Sequence, residues 1–417
     1  MRNSPFMWVI LALMVLLDLY VFQVLKFMSQ SAAPRTKTII YTSYWIISIS
    51  AVLFLLLLPY IHFDQQSKLL RNTIFAILTG IFFAKFVASL FFLIDDLRRA
   101  ILWIVGKFSS SSTVSATATD SSDKISRSVF LSWAGTIVGG GLLGSLIYGF
   151  RNKYNYQLKR FQLTYDNLPA SFKGLKIVHI SDIHSGSFTN KQAVHHGVEM
   201  ILNEKPDIIL FTGDLVNDAA HEMTDYMDVF SQLKAPMGVY STLGNHDYGD
   251  YIQWESAKAK SDNLERLKQI HGELGWRLLM NEHVELQKGD EKIALIGIEN
   301  WSASGRFHSY GDLSKAYTGA KDYAFKILMS HDPSHWDAQV RPSYPDIDLM
   351  LSGHTHGAQF GIETPGFRWS PVQYMYKQWA GLYEQGKQKL YVNRGYGFIG
   401  YPGRVGILPE ITVLELA

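Results

Sequence analysis

Apolar runs of two different lengths divide the chain near residue 150. Four early stretches, Phe6 to Met28, Thr38 to Tyr60, Thr73 to Ile94 and Val129 to Phe150, are each mostly apolar. A helix crossing a hydrocarbon core needs about 20 such residues. The pattern therefore predicts an N-terminal α-helical transmembrane region: three spans in residues 1–108, a linker at 109–128 and a fourth span at 129–150. The linker begins at Ser109-Ser110-Ser111-Ser112-Thr113 and runs past Asp123, a Ser/Thr/Ala tract that cannot form a core. Arg98 to Phe108, just before it, reads as a segment lying along the membrane surface. From residue 155 to 417, short apolar runs alternate with Gly, Asn, Asp and Pro, the punctuation of a mixed α/β domain.

Two charges interrupt the spans, Asp18 in the first and Lys85 in the third. An unpaired charge at that depth costs about 2.5 to 3.5 kcal/mol on insertion scales, so the two are expected to pair. A net charge of +2 is too small to imply a nucleic-acid partner, and with no basic stripe interleaved with aromatics none is expected. The absence of cysteine excludes disulfides and thiolate chemistry. Lys and Arg divide almost evenly between the two sides of the spans. Ser126-Arg127-Ser128-Val129-Phe130-Leu131 is similar to a degenerate twin-arginine export signal, which favours a bacterial inner-membrane protein with an extracytoplasmic domain.

Five islands in the second part carry the chemistry, and each follows a strand-like apolar run. Leu175 to Ser181 leads into Asp182-Ile183-His184, whose Asp and His, as residues i and i+2 of extended chain, would face one metal ion. A helix of about fifteen residues from Asn190 precedes a run ending in Gly213-Asp214. The βαβ spacing makes the two strands parallel neighbours and sets Asp214 beside Asp182. A helix over roughly Met223 to Leu233 precedes Gly244-Asn245-His246-Asp247, where Asn245 offers a neutral carbonyl oxygen. His331 and then Gly353-His354-Thr355-His356 end two further apolar runs. A lone Asp or His at a strand end is more often a cap or turn residue. Five such islands together point to a metal site built without sulfur.

Asp-x-His, Gly-Asp and Gly-Asn-His-Asp in this order, followed by His331 and the Gly-His-Thr-His island, resemble the calcineurin-like metallophosphoesterases over about residues 163 to 417. The resemblance implies a four-layer αββα sandwich of mixed sheets. It implies two divalent cations, Mn or Fe in preference to Zn: Asp182, His184 and His356 at the first, Asn245, His331 and His354 at the second, and Asp214 bridging. It further implies phosphodiester or pyrophosphate hydrolysis by a metal-bridging hydroxide, with His246 off the metals as general acid and Asp247 orienting its imidazole. Ala380-Gly381-Leu382-Tyr383, Asn393-Arg394-Gly395-Tyr396-Gly397 and Leu408-Pro409-Glu410-Ile411 look like the membrane-associated subgroup that includes a UDP-2,3-diacylglucosamine pyrophosphohydrolase, although Ala358 stands where that subgroup has a second Gly after the last histidine.

Phe367, Arg368, Trp369, Tyr374, Met375, Tyr376, Lys377 and Trp379 make Pro365 to Trp379 aromatic and cationic, which suits a membrane interface or a lipid-phosphate headgroup. Arg394, Arg306 and His308 are the candidate substrate phosphate contacts. The expected partners are the lipid bilayer and a phosphate ester, lipid-linked or envelope-linked. A non-catalytic metal-binding membrane sensor or scaffold is the competing reading.

Overall fold

The computed structural model describes residues 5–57, 68–108 and 127–417, which fall into two compact units that divide between Tyr148 and Gly149. Most of the expected Ser/Thr linker lies outside the described residues.

The N-terminal unit contains helices α1 (Pro5–Met28), α2 (Pro34–Leu57), α3 (Lys68–Phe108) and α4 (Arg127–Gly149). All four are long and apolar enough to cross a membrane. Arg98 to Phe108 forms no separate surface helix. It continues α3 without a break, because no Pro or Gly stands between Gly80 and Gly106. Asp18 and Lys85 do pair, joined by Ser48, whose Oγ donates to Asp18 Oδ1 at 2.9 Å and lies 2.7 Å from Lys85 Nζ. Tyr44 adds its ring face, 4.7 Å from that ammonium. The charges thus meet one another and two polar groups inside an apolar bundle.

The C-terminal unit holds strands β1 (Gln157–Leu163), β2 (Lys176–Ile180), β3 (Ile208–Phe211), β4 (Val239–Ser241), β5 (Arg277–Leu278), β6 (Glu282–Lys288) and β7 (Glu291–Gly297). They are followed by β8 (Lys326–Met329), β9 (Leu349–Ser352), β10 (Ile362–Thr364), β11 (Phe367–Trp369), β12 (Gly381–Gln385), β13 (Gln388–Val392) and β14 (Glu410–Leu416). One six-stranded sheet runs β1-β14-β2-β3-β4-β5, the other β12-β13-β9-β8-β7-β6, and β10 and β11 form a separate hairpin. In the first sheet β2, β3, β4 and β5 are parallel; in the second β7, β8, β9 and β13 are. Residues of β3, β8 and β9 are buried throughout, which explains their unbroken apolar sequences.

Ile177, Ile208 and Leu210 pack between the sheets against Leu295, Ile327, Met329 and Leu351. The outer face of the first sheet is covered by α5 (Lys191–Asn203), α6 (Met227–Phe230) and α7 (Ala257–Glu273). On the second sheet's outer face lie α8 (Leu313–Tyr317), Trp336 and Val340. This is the expected αββα sandwich. Asn190 caps α5 by accepting from the Ala193 N–H, so that helix begins where the sequence places it. The helix expected over Met223 to Leu233 is mostly a 3-10 stretch, Ala220–Tyr226, leading into the short α6.

Candidate metal centre

All five islands sit just beyond the C-terminal ends of parallel strands, where open α/β sheets expose their loops. Asp182 and His184 follow β2, Asp214 follows β3, Asn245 to Asp247 follow β4, His331 follows β8, and His354 and His356 follow β9. The two sheets meet there. His331 Nδ1 donates to the Thr212 carbonyl at 2.7 Å, and the His354 N–H lies 3.0 Å from both Asp182 oxygens.

The extended i, i+2 geometry is not what brings the side chains together. Asp182, His184, Asp214, His354 and His356 all have positive φ, between 49° and 71°. A left-handed backbone costs a non-glycine residue roughly 1 to 2 kcal/mol and persists where its surroundings over-determine it. Here they do: Asp182 N–H donates to the Gly213 carbonyl at 2.9 Å, His184 N–H to the Asp214 carbonyl at 3.1 Å, and Gly397 N–H to the Asp182 carbonyl at 2.8 Å. Gly353 is needed for a different reason, since a Cβ there would lie 2.1 Å from Asp182 Oδ2.

The side chains converge as two groups, Asp182 with His184 and His356, and Asp214 with His331 and His354; within each, the potential ligand atoms lie within 4.8 Å of one another. His356 Nε2 is 3.2 Å from Asp182 Oδ1 and 3.0 Å from His184 Nε2. Asp214 Oδ2 stands between the groups, 3.1 Å from His331 Nε2 and 3.5 Å from His184 Nε2. Asn245 Oδ1 joins the second group at 2.7 Å from His354 Nδ1. Burial holds the His184, His354 and His356 imidazoles below the usual histidine range, so they are neutral with a lone pair to offer. Burial also opposes charge on His331 and on the two aspartates, but their partners win: Asp214 and then Asp182 raise His331 to about 10, His356 chiefly holds Asp182 below the carboxylate range, and His331 does the same for Asp214.

Residues 175–358 match the calcineurin-like phosphoesterase family, and residues 1–153 match the probable transmembrane domain of a calcineurin-like phosphoesterase. The chain carries a calcineurin-like phosphoesterase domain. A transmembrane protein with metallophosphoesterase domain from Danio rerio is 30% identical over 264 residues, which cover 61% of this chain and 56% of that one. The metallophosphoesterase YkuE of Bacillus subtilis is 29% identical over 301 residues, 70% of this chain and 98% of its own. Of the solved structures, the sulfate thiohydrolase SoxB aligns with 60% of this chain and 58% of its own at 13% identity and a TM-score of 0.35.

Within the calcineurin-like domain, two expected roles are corrected. Asp247 does not orient His246. Its carboxylate accepts the backbone N–H groups of Asp214, Leu215, Val216 and Gly244 at 2.8 to 3.3 Å, fixing the turn that carries Asp214. Burial and the nearby Asp214 charge push its pKa up to about 7, while the N–H donors of Gly244 and Val216 pull the other way. His246 is held instead by the Asn217 carbonyl, 2.7 Å from Nδ1, and its ring meets those of His184 at 5.0 Å and Tyr251 at 4.5 Å. Arg394 is not presented to a phosphate: it is buried, with Nη1 on Glu410 and Nη2 on Glu363. Arg306 and His308 are exposed on the loop that carries Phe307, whose ring packs 4.8 Å from that of His354.

Three contacts at the centre had no motif to announce them. Tyr376 Oη lies 2.8 Å from His354 Nε2, so part of the aromatic segment reaches the second group. Tyr251 Oη accepts from Asn245 Nδ2 at 2.8 Å, which points Asn245 Oδ1 towards His354. The buried Arg404 guanidinium donates to the carbonyls of His356 at 3.1 Å and Arg394 at 2.7 Å, tying two loops together.

Proposed function

We propose that this chain is a membrane-anchored, metal-dependent phosphoesterase that cleaves a phosphodiester or pyrophosphate bond in a lipid-linked or envelope-linked substrate. The observation that carries the reading is the shared Asp214 carboxylate, within 3.5 Å of a histidine from each of the two groups. The donor set fits a pair of divalent cations. Metals require neutral imidazoles and ionised carboxylates: His184, His354, His356 and the two aspartates are in those forms, and His331, protonated beside Asp214, would give up its Nε2 proton to make way for a cation. An oxygen and nitrogen shell without sulfur suits Mn or Fe, with Zn as the other option.

Asp182, His184, His356 and Asp214 would hold one cation, and Asp214, Asn245, His331 and His354 the other. Bound there, the pair supplies charge neutralisation of the phosphate and a lowered pKa for a water molecule. The chain's own residues do the rest. His331 is fixed as a tautomer because Thr212 takes its Nδ1 proton, which aims Nε2 at Asp214. The Asn217 carbonyl likewise accepts the Nδ1 proton of His246, so a second proton carried on Nε2, in the imidazolium form, would be the one passed to the departing alkoxide, leaving the ring neutral. Arg127, the first residue of α4 and the single arginine of the export-signal-like segment, favours an extracytoplasmic domain in a bacterial inner membrane.

The test is release of p-nitrophenol from bis-p-nitrophenyl phosphate by the full-length, metal-loaded protein, with Asn245→Ala as control. Turnover by the parent and its loss in the control is the expected result. Metal binding with no turnover on this ester or on cellular lipid extracts would instead favour a sensor or scaffold.

A further inference from the structure

The exposed apolar surface of the C-terminal unit is concentrated on the segments that reach the candidate centre. Among its described residues, the exposed large apolar side chains are Tyr251, Ile252, Tyr310, Ile362, Phe367, Tyr374 and Met375. Tyr251 bonds Asn245, and Tyr310 stacks 3.9 Å from Tyr248, next to Asp247. Ile252 adjoins Tyr251 in the chain, and the remaining four lie on residues 362–375, between His356 and Tyr376, which bonds His354. Tyr374 is 77% exposed, Met375 64% and Phe367 56%. Side chains of this size on the tip of a hairpin and the loop after it are not core, and together they form the kind of patch that marks an interaction surface.

From these contacts we infer that the rim seats on the lipid bilayer in which the chain's own spans lie, placing the metal centre at headgroup depth. Three observations favour a bilayer over a protein partner. The domain is joined directly to α4 at Gly149, so a bilayer is always within reach. The rim mixes exposed Tyr with Phe, Ile and Met, and Trp369 is half-buried among them, a composition that suits a membrane interface. Its exposed cations, Arg306 and Lys377, suit phosphate headgroups, while its one hairpin carboxylate, Glu363, is held by Arg394. The inference deepens the proposed function, since it rests on the reading that the substrate is a lipid phosphate.

The chain has no cysteine, so Tyr374→Cys, Phe367→Cys and, as a control on α7, Lys258→Cys each give a unique labelling site. Each full-length variant carries an environment-sensitive dye and is placed in phospholipid nanodiscs with and without lipid spin-labelled near the headgroup. Blue-shifted emission at 374 and 367 that falls as spin-labelled lipid increases, with neither effect at 258, is the expected result. Emission at 374 and 367 as unshifted and unquenched as at 258 would overturn the inference. So would shielding that the spin-labelled lipid does not quench, because a second copy of the chain would then cover the rim. The two sites report independently, so loss of either variant to misfolding leaves the other to decide. Quenching with no turnover of any bilayer phosphate ester would uphold docking and remove the lipid-substrate reading.

Discussion

Asp247 and His246 are neighbours with opposite work, and substitution separates them. Asp247 answers four backbone N–H groups inside the domain. Asp247→Ala strands those buried donors, at about 1 to 3 kcal/mol for each one left unsatisfied. The expected outcome is a lower unfolding midpoint and lower metal content together. His246→Ala breaks one bond to a carbonyl and should reduce kcat far more than metal content. Equal losses of both in His246→Ala would make it a structural residue. The seven candidate ligands were legible because Asp, His and Asn stand at strand ends in a fixed order. Their left-handed backbone was not, since nothing in Asp182-Ile183-His184 distinguishes an extended pair from two αL residues. Arg394 misled because an Arg-Gly pair reads as an anion contact until the distant Glu363 and Glu410 come into view.

Elements rest on patterns that the chain shows openly, and their contacts on patterns that it hides. Four spans, the capped start of α5 and the parallel strand order all follow from apolar run length and punctuation. Close helix approach does not. A Cβ on Gly139 of α4 would lie 2.6 Å from the Ala84 carbonyl of α3, and one on Gly135 would lie 2.8 Å from that of Ala88. Small residues four apart let these helices touch. Gly139→Leu should therefore lower the thermal midpoint of the detergent-solubilised protein, while Gly140→Leu, with open space at its Cβ, should leave it nearly unchanged. Equal effects would mean that the two helices separate easily. In α7, His271 is fully buried with neither ring nitrogen bonded, and burial lowers its pKa from 6.5 to about 3. Between those values the unfolded chain takes up a proton that the folded chain refuses, so stability falls as pH drops from 6.5 towards 3. The loss is on the order of a few kcal/mol. His271→Leu should flatten that part of the stability profile; parallel profiles for parent and variant would show that His271 plays no part in it.

At the scale of the whole molecule, a membrane bundle and an αββα domain share one chain. The bundle's four helices are long and apolar enough to cross a membrane, and the domain gathers buried carboxylates and imidazoles from both of its sheets. Divalent cations bound there would tie together ligands from both sheets and stabilise the folded state, so chelation should lower the unfolding midpoint of the parent and change that of Asp214→Ala much less. Activity on a soluble ester would speak to chemistry, and dye quenching to docking. The central claim concerns the centre itself. It is tested most directly by measuring bound Mn, Fe and Zn per chain in the purified full-length protein alongside its Asp214→Ala and Asn245→Ala variants. Two divalent cations per chain in the parent, with a clear loss in both variants, is the result predicted here. A single cation per chain, or contents unchanged by either substitution, would contradict it.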